Sequence, residues 1–484
     1  MASRRSWRFW PALWLGKATY RLIHLAGRGG GTAAPGLVAL AIAPDFVTQA
    51  VGTLPGGSLT VTGTNGKTTT TRMLGGILQA AGQRPLSNRQ GSNLLRGLAS
   101  TALVAADGRG RLAYDIGLWE TDEAAFLPIA AAVRPRLAVV NNLFRDQLDR
   151  YGEVEKIRRI WQQTIADLPA SSILVLNADD PAVAHLGQGF AGPVWYFGLD
   201  DPAVRLAGRV HAMDVRTCLV CDGPLTYRAN FLSHLGDYFC PRCGFARPTP
   251  QVAAIEVRPE GLGVTTCRVR TPVGADLSPG PSPTRGGAGG EVVPLRLNLS
   301  GLYNVYNALA VVTAALALGI DLATIQQALA AFRPAFGRFE RLRVRDRDMY
   351  LLLVKNPTGC NEVLRTLLAA TERPLQLLIA INDLIADGRD VSWLWDVDFE
   401  VLAGRLAQAT VSGLRANDMA LRLKYAGIDE ASITIESNLE QALADALAQL
   451  PPGETLFCLP TYTAMLALQG ILARWGVKEE YWEE

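Results

Sequence analysis

Thr60-Val61-Thr62-Gly63-Thr64-Asn65-Gly66-Lys67-Thr68-Thr69-Thr70 decides the fold. The apolar run Ser58 to Val61 before it reads as a strand, and Thr71 to Ala80 after it as a helix. In a strand–loop–helix junction of this kind, successive backbone N–H groups and the helix N-terminus meet a polyphosphate. Lys67 adds a point charge, and the Thr68 hydroxyl can ligate Mg²⁺. Gly63 and Gly66 stand where a Cβ would block close approach of the backbone. The eight-residue Walker pattern is incomplete, because its first glycine would fall on Val61. A plain Gly-rich turn at a helix start is the competing reading, but GK[ST] after a strand is a specific signal. The stretch therefore predicts ATP binding through Gly63, Thr64, Asn65, Gly66, Lys67, Thr68 and Thr69.

Outward from the loop, short apolar strands (Leu137 to Val140, Ile173 to Leu176) alternate with helices, including a long Ala-rich one after Asn304. That alternation predicts a mostly parallel sheet with helices on both faces, in an ATP-binding domain spanning 51–335. Two segments interrupt it: a cysteine-bearing insertion, 214–248, and the Pro/Gly/Ser-rich run 276–291. The latter lacks the apolar residues to offset its ordering entropy and is expected to be a disordered loop between strands Gly263 to Arg270 and Val292 to Leu297. After Arg338 the alternation restarts. Strands are expected at Met349 to Val354, Leu375 to Ile381, Ala409 to Ser412, Ile433 to Ile435 and Thr455 to Leu459, with a helix from Cys360 to Thr371. This gives a second, Rossmann-like α/β domain, 336–484. Residues 1–50 read as a helix plus the glycine-rich loop Gly29 to Gly36.

Length and composition fit this plan. A chain of 484 residues accommodates two or three domains, and 49% hydrophobic against 19% charged residues allows large cores. A net charge of only +2, with no basic stripe, argues against nucleic acid as a partner. No apolar run reaches the roughly 18–20 residues needed to span a bilayer. With no signal peptide in view, a reducing, cytoplasmic setting is expected. Near the start, Trp7, Trp10 and Trp14 fall on one helical face among Arg4, Arg5, Arg8, Lys17 and Arg21. The favoured reading packs the tryptophans on the protein's own core. The alternative sets the helix at lipid headgroups, peripherally on the inner face of the membrane.

Cys218-x2-Cys221 and Cys240-x2-Cys243, with 18 residues between the pairs, make two knuckles able to close a thiolate cage around Zn²⁺. Four thiolates leave no open position for water, so the site is read as structural.

The form T-G-T-N-G-K-T-T resembles the Mur ligases and their folate and cyanophycin relatives, which make amide bonds through an acyl phosphate. Further motifs follow in that family's order: Leu118 to Glu123, Asn141 to Arg150, Leu176 to Pro181, Gly301 to Ala308 and Gly337 to Glu340. The cysteine ribbon and the runs Gly29 to Gly36, Lys355 to Gly359, Asp387 to Asp396 and Tyr462 to Leu466 narrow the likeness to the MurT branch, ligase subunits of lipid II isoglutaminyl synthases. The resemblance implies ATP-dependent amidation of the D-glutamate α-carboxylate of lipid II, in peptidoglycan biosynthesis. It implies Asn177 and Asp180 on the adenine or ribose side, and Arg338 reaching the phosphates from the domain junction or forming a structural ion pair. Thr68 and Glu120 are the expected Mg²⁺ ligands, with Asp122 and Glu123 as alternates. Glu120 ends an apolar strand, where ligands gather in open parallel sheets.

Two departures from the wider family are visible. Gln147 stands where the family carries a metal-associated histidine, and amides are poor Mg²⁺ ligands. Lys156 lies about a turn and a half before the expected carbamylated lysine, where Gln162 stands. No uridine-binding domain precedes the phosphate loop, so the acceptor is expected to carry no uridine nucleotide. The remaining cysteines, Cys267, Cys360 and Cys458, lie in no nucleophile elbow, so the ammonia is expected from elsewhere. The MurT likeness supplies a GatD-like glutamine amidotransferase subunit whose histidine is oriented by an aspartate of this chain. Asp383, Asp387, Asp390 and Asp396 are the candidates. Asp396, flanked by Trp393 and Trp395, is favoured as a catalytic contributor beside Lys67 and Glu120. A stand-alone amino-acid ligase of folylpolyglutamate type and a non-enzymatic zinc-ribbon adaptor are the competing functions.

Overall fold

The computed structural model describes residues 5–25, 33–88, 92–145, 153–206, 213–272, 290–333 and 338–477. The first strands along the chain are β1 (Ser58–Thr62), β2 (Pro85–Ser87), β3 (Ile116–Glu120), β4 (Leu137–Val140), β5 (Ile173–Asn177) and β6 (Val194–Leu199). They are followed by β7 (Thr226–Leu232), β8 (Leu235–Phe239), β9 (Val252–Glu260), β10 (Val264–Thr271) and β11 (Glu291–Leu297). Nine of these form one sheet in the order β11-β10-β9-β6-β5-β4-β1-β3-β2, and β7 and β8 pair by themselves. From β2 through β9 every pairing is parallel, whereas β9, β10 and β11 run antiparallel at one edge. Every residue of β1 and β4 is buried, as a strand covered by helices on both faces must be.

The second sheet holds β12 (Arg338–Val344), β13 (Arg347–Leu352), β14 (Leu375–Ala380), β15 (Leu406–Ser412), β16 (Ile433–Ile435) and β17 (Thr455–Pro460). Its order is β12-β13-β17-β14-β15-β16, parallel except for the β12–β13 hairpin. The expected alternation after Arg338 is thus a doubly wound sheet with an antiparallel edge. Of the segment 276–291, all but the last two residues lies outside the described residues. The strands either side of it pair antiparallel from Thr265–Leu297 to Thr271–Glu291.

The N-terminus is more helical than its sequence suggested. Besides α1 (Phe9–Leu25) there are α2 (Ala34–Ile42) and α3 (Phe46–Val51). Pro35 sits in the first turn of α2, where its missing N–H costs nothing. The Gly29 to Thr32 part of the glycine-rich loop lies outside the described residues. Phe9, Leu13, Ala39, Phe46 and Val47 join Leu98, Leu103 and Trp119 in one buried cluster. The favoured placement of the tryptophans is overturned. Phe9, Ala12, Leu13 and Gly16 make the buried face of α1, while Trp7, Trp10 and Trp14 are exposed. A Trp every three or four residues marks a face without saying which way it points.

Four more helices position the site: α4 (Lys67–Ala80), α5 (Leu95–Ala105), α6 (Phe126–Val133) and α7 (Glu153–Ala166). Beyond them lie α8 (Pro181–His185), α9 (Leu302–Ala317), α10 (Leu322–Ala331) and α11 (Pro357–Ala370). Met73, Leu74 and Ile77 of α4 share a core with Leu59 and Val61 of β1 and with Val305, Leu309 and Val312 of α9.

Candidate active site

The helix after β1 begins at Lys67, a full turn earlier than its apolar periodicity indicated. Gly66 makes this possible with φ of 84°. A Cβ there would sit 2.0 Å from Asn307 Oδ1, so both conformation and space require glycine. Gly63, at φ 141°, is similarly hemmed in, since a Cβ on it would lie 2.9 Å from Asn141 Cβ. No side chain caps the first turn of α4, and its first internal bond runs from Thr70 N–H to Gly66 O at 2.9 Å. The loop is held from the next strand over. Asn142 Oδ1 accepts from Asn65 N–H at 2.8 Å, Asn142 O accepts from Thr64 N–H at 3.0 Å, and Asn142 Nδ2 donates to Asn65 O at 3.1 Å. A loop held in this way in front of a half-buried helix N-terminus with no side-chain cap has the geometry that suits an anion.

Lys67 Nζ donates to Gly63 O at 2.6 Å and to Thr64 O at 3.2 Å, and lies 3.0 Å from Glu123 Oε1. The adjacent carboxylate is Glu120, whose Oε1 accepts from Thr68 Oγ1 at 2.9 Å and from Asn93 Nδ2 at 2.8 Å. Asn88 clamps the Glu120 backbone on both sides, donating to its carbonyl at 2.9 Å and accepting from its N–H at 3.0 Å. Thr68 and Glu120 thus bring a hydroxyl and a carboxylate oxygen together at the carboxyl end of the sheet, a donor set suited to a hard cation such as Mg²⁺. Asp122 accepts from Ala124 N–H at 3.1 Å and turns the chain into α6.

The second half of the chain closes over this loop. Lys355 Nζ lies 3.4 Å from Thr64 O, and Asn356 Nδ2 donates to Asn65 Oδ1 at 3.0 Å. Lys355, Asn356, Asn142, Asn88 and Asn93 were given no role by sequence reasoning. Lys355, Asn356 and Asn142 lie inside quoted motifs; Asn88 and Asn93 carried no signal.

Asn177 and Asp180 are fully buried and already engaged. Asn177 Nδ2 donates to Asn141 O at 3.0 Å and its Oδ1 accepts from Asp179 N–H at 3.0 Å. Asp180 caps α8 through Ala182 and Val183 N–H, accepts from Leu143 N–H at 2.8 Å, and lies 3.4 Å from the buried His234. Both side chains are thus hydrogen-bonded within the protein. Between them Asp179 meets Arg247 Nε at 2.5 Å, Tyr306 Oη at 2.7 Å and Leu199 N–H at 2.8 Å. Burial pushes its carboxyl above the ordinary range, against the opposing pull of Arg247, Tyr306 and the Leu199 N–H. Arg338 opens β12, but its side chain lies outside the described residues, as does Gln147. Lys156 is exposed on α7, with Gln162 half-buried a turn and a half further on.

The four cysteines converge. Their sulfurs all lie within 4.8 Å of one another, with Cys218–Cys243 at 3.5 Å and Cys221–Cys240 at 3.6 Å. Tetrahedral Zn–S bonds of ~2.3 Å imply S···S edges of about 3.8 Å, so the cage fits that ion. The two knuckles repeat one geometry. Cys218 N–H donates to Gly223 O and Cys240 N–H to Phe245 O, and the left-handed residue is Asp222 in one, Gly244 in the other. The β7–β8 hairpin that joins them reaches the loop after β5, where Gly236 N–H donates to Asp179 O at 2.9 Å.

In the C-terminal sheet the four candidate aspartates separate by environment. Asp387 accepts from Thr463 N–H at 2.7 Å and Thr463 Oγ1 at 2.5 Å. Asp383 pairs with Arg415 at 2.7 Å, and Asp390 turns back on Ser392 at 2.8 Å. Asp396 Oδ2 accepts no hydrogen bond and lies 3.5 Å from Arg145, which is itself held by Asp214 at 2.6 Å. Of its flanking tryptophans only Trp395 is exposed, edge-on to Tyr425 at 5.6 Å; Trp393 is core. Ile385 and Leu384 are exposed on the same segment. Cys267, Cys360 and Cys458 are buried, and burial pushes the first two thiols up to about 12 and the third higher still. None is a ready nucleophile.

Residues 61–223 match the family described as Mur ligase middle domain, and residues 353–465 the MurT ligase C-terminal family. The chain is 32% identical over 459 residues to a lipid II isoglutaminyl synthase (glutamine-hydrolyzing) subunit MurT of Streptococcus pneumoniae strain R6, covering 95% of each. It is 28% identical to the protein of that name from Staphylococcus aureus strain COL, over 95% of this chain and 96% of that one. Among solved structures, a pseudomurein peptide ligase type C from Methanothermus fervidus superposes with a TM-score of 0.64 at 21% identity, over 89% of this chain and 81% of that one. That likeness is one of fold. Among the described residues, no helix is long and apolar enough to cross a membrane.

Proposed function

Because the chain belongs to the MurT family of Mur-type ligases, we propose that it amidates the D-glutamate α-carboxylate of the lipid II stem peptide, consuming ATP and using ammonia from a GatD-like glutaminase. A carboxylate oxygen attacks the γ-phosphorus and ADP departs, leaving an acyl phosphate. Ammonia then attacks the acyl carbon, a proton passes to solvent, and the C–O bond to phosphate breaks with release of inorganic phosphate. The observation that carries this reading is the uncapped α4 N-terminus with Lys67, Thr68 and Glu120 at its mouth.

In this reading the first turn of α4, which carries no side-chain cap, and Lys67 hold the β- and γ-phosphates, and Lys67 leaves Glu123 for the nucleotide. Thr68 and Glu120 would hold Mg²⁺, and that ion would supply positive charge to offset the charge of the phosphates. Zn²⁺ on Cys218, Cys221, Cys240 and Cys243 is structural. The buried, high-pKa cysteines support an external ammonia source. Asp396 orients the partner's histidine. Of the four aspartates it is the one with a buried oxygen that accepts no hydrogen bond, and the exposed Trp395 next to it in sequence, edge-on to the exposed Tyr425, offers apolar surface suited to a second subunit. A lipid-linked acceptor places the enzyme in the cytoplasm at the inner face of the membrane.

The test is an amidation assay with lipid II, ATP and Mg²⁺, supplied with glutamine plus glutaminase or with ammonia, and read by mass spectrometry. The expected product is lighter than hydroxyl-bearing lipid II by the difference between OH and NH₂. Addition of a whole amino acid without ammonia would assign the chain to the stand-alone ligases instead.

A further inference from the structure

We propose that the outward face of α1 seats the enzyme on an anionic lipid surface, an inference that rests on the reading of a lipid-linked acceptor. The exposed residues of this helix are not scattered. Trp10, Trp14, Ala18, Leu22 and Leu25 follow one another at intervals of three and four along one stripe, and Trp7, in the turn just before the helix, stands three residues ahead of Trp10. Trp7 is 77% exposed, Trp14 52%, Leu22 67% and Leu25 84%. Isolated apolar side chains on a surface need no explanation, but a contiguous aromatic and aliphatic stripe marks an interaction site.

The helix cannot roll to hide it. Phe9, Ala12, Leu13 and Gly16 are locked into the core on the opposite side. Arg5 donates to Arg109 O at 2.7 Å and Gly110 O at 2.6 Å, and Lys17 donates to Ala106 O at 2.5 Å. Those contacts fix the stripe outward and leave Arg8 and Arg21 exposed along it, with the Arg8 guanidinium 5.4 Å from the Trp7 ring centre.

Charge selects the occupant. Residues 1–44 contain six Lys and Arg and neither Asp nor Glu, while the whole chain nets +2, so the remaining residues net −4. A second copy docking on this face would bring like charges together. A bilayer rich in anionic headgroups attracts this end and repels the rest, which orients the enzyme as well as holding it. Tryptophan indoles settle at headgroup depth with arginines beside them, and the helix, which contains no acidic residue, lies in the interfacial plane.

The test is co-sedimentation of the purified full chain with vesicles of mixed phosphatidylglycerol and phosphatidylcholine, and of phosphatidylcholine alone. Wild type should bind the anionic vesicles at least about tenfold better than the W7A/W10A/W14A variant, and added salt should weaken that binding. R8E/R21E should lose the preference for anionic over neutral vesicles. Equal binding by wild type and the tryptophan variant, or no binding by wild type, overturns the proposal. So does wild-type self-association, without vesicle binding, that the tryptophan variant abolishes. Amidation of a detached, water-soluble acceptor peptide separates the two readings. The tryptophan variant should match wild type there. If wild type fails on every acceptor, the functional reading falls, while the vesicle result still decides the lipid surface.

Discussion

Two strand–loop–helix junctions face each other across the cleft, and they end their strands in opposite ways. Between β1 and α4, Gly66 at φ 84° starts the helix with no side-chain cap. Between β13 and α11, Asn356 starts it in extended geometry, its Oδ1 accepting from Gly359 N–H at 2.8 Å, with Pro357 in the first turn. The first junction puts no side-chain cap on the positive end of its helix dipole; the second places the Asn356 amide oxygen on its first turn. The same supersecondary unit thus ends without a side-chain cap in one case, as the proposed phosphate site requires, and as a capped clamp in the other.

Breaking the first junction should have the largest effect. Lys67→Ala should reduce ATP-dependent amidation to background with glutamine and with ammonia, while circular dichroism and melting temperature stay close to wild type. Asp396→Asn, in the unit that carries the capped junction, should cut glutamine-dependent product by roughly two to three orders of magnitude, somewhat under the ~10⁴ seen when an in-chain triad loses its aspartate. High ammonia should restore that product; equal loss with both nitrogen sources would move Asp396 into the ligase chemistry. Gly66→Ala should strain the loop by about 1–3 kcal/mol, read as a lower melting temperature and a raised KM for ATP. Asn356→Ala removes a cap and the contact to Asn65, and should cost about 1 kcal/mol in denaturant unfolding. Gly359→Ala sharpens the contrast from below. Its backbone is ordinary helix and the new Cβ would meet only Asn356 Oδ1 at 3.1 Å, so gained helix propensity and crowding should leave stability within ~1 kcal/mol of wild type.

What the sequence disclosed follows from how local each feature is. The phosphate loop, the strands at Leu137, Ile173 and Ile433, and the paired cysteines are written in consecutive residues whose spacing carries the physics. Contacts made by packing were not legible. Asn356 and Asn65 are 291 positions apart, and only the closure of one sheet on the other brings them together. The family resemblance of Leu176 to Pro181 implies Asn177 and Asp180 on the adenine or ribose side, and the hydrogen bonds they make within the protein were not legible there. Their burial depends on His234, Asn141 and Leu143 from other elements. The Trp7, Trp10 and Trp14 stripe was visible as a stripe, but its direction was set by Phe9 and Leu13, a competing apolar face on the same helix.

The Lys67–Glu123 pair has a consequence for what the loop will admit. Glu123 is an anion already seated on the lysine at 3.0 Å, tethered and hence present at high effective concentration. A stray sulfate or inorganic phosphate must evict this resident carboxylate and offers little beyond the charge it replaces. In the proposed reading a nucleoside triphosphate displaces it with several oxygens at once, drawing on the first turn of α4 and the metal ligands together. On that reading the resident carboxylate is an internal competitor that sets a threshold single small anions do not meet.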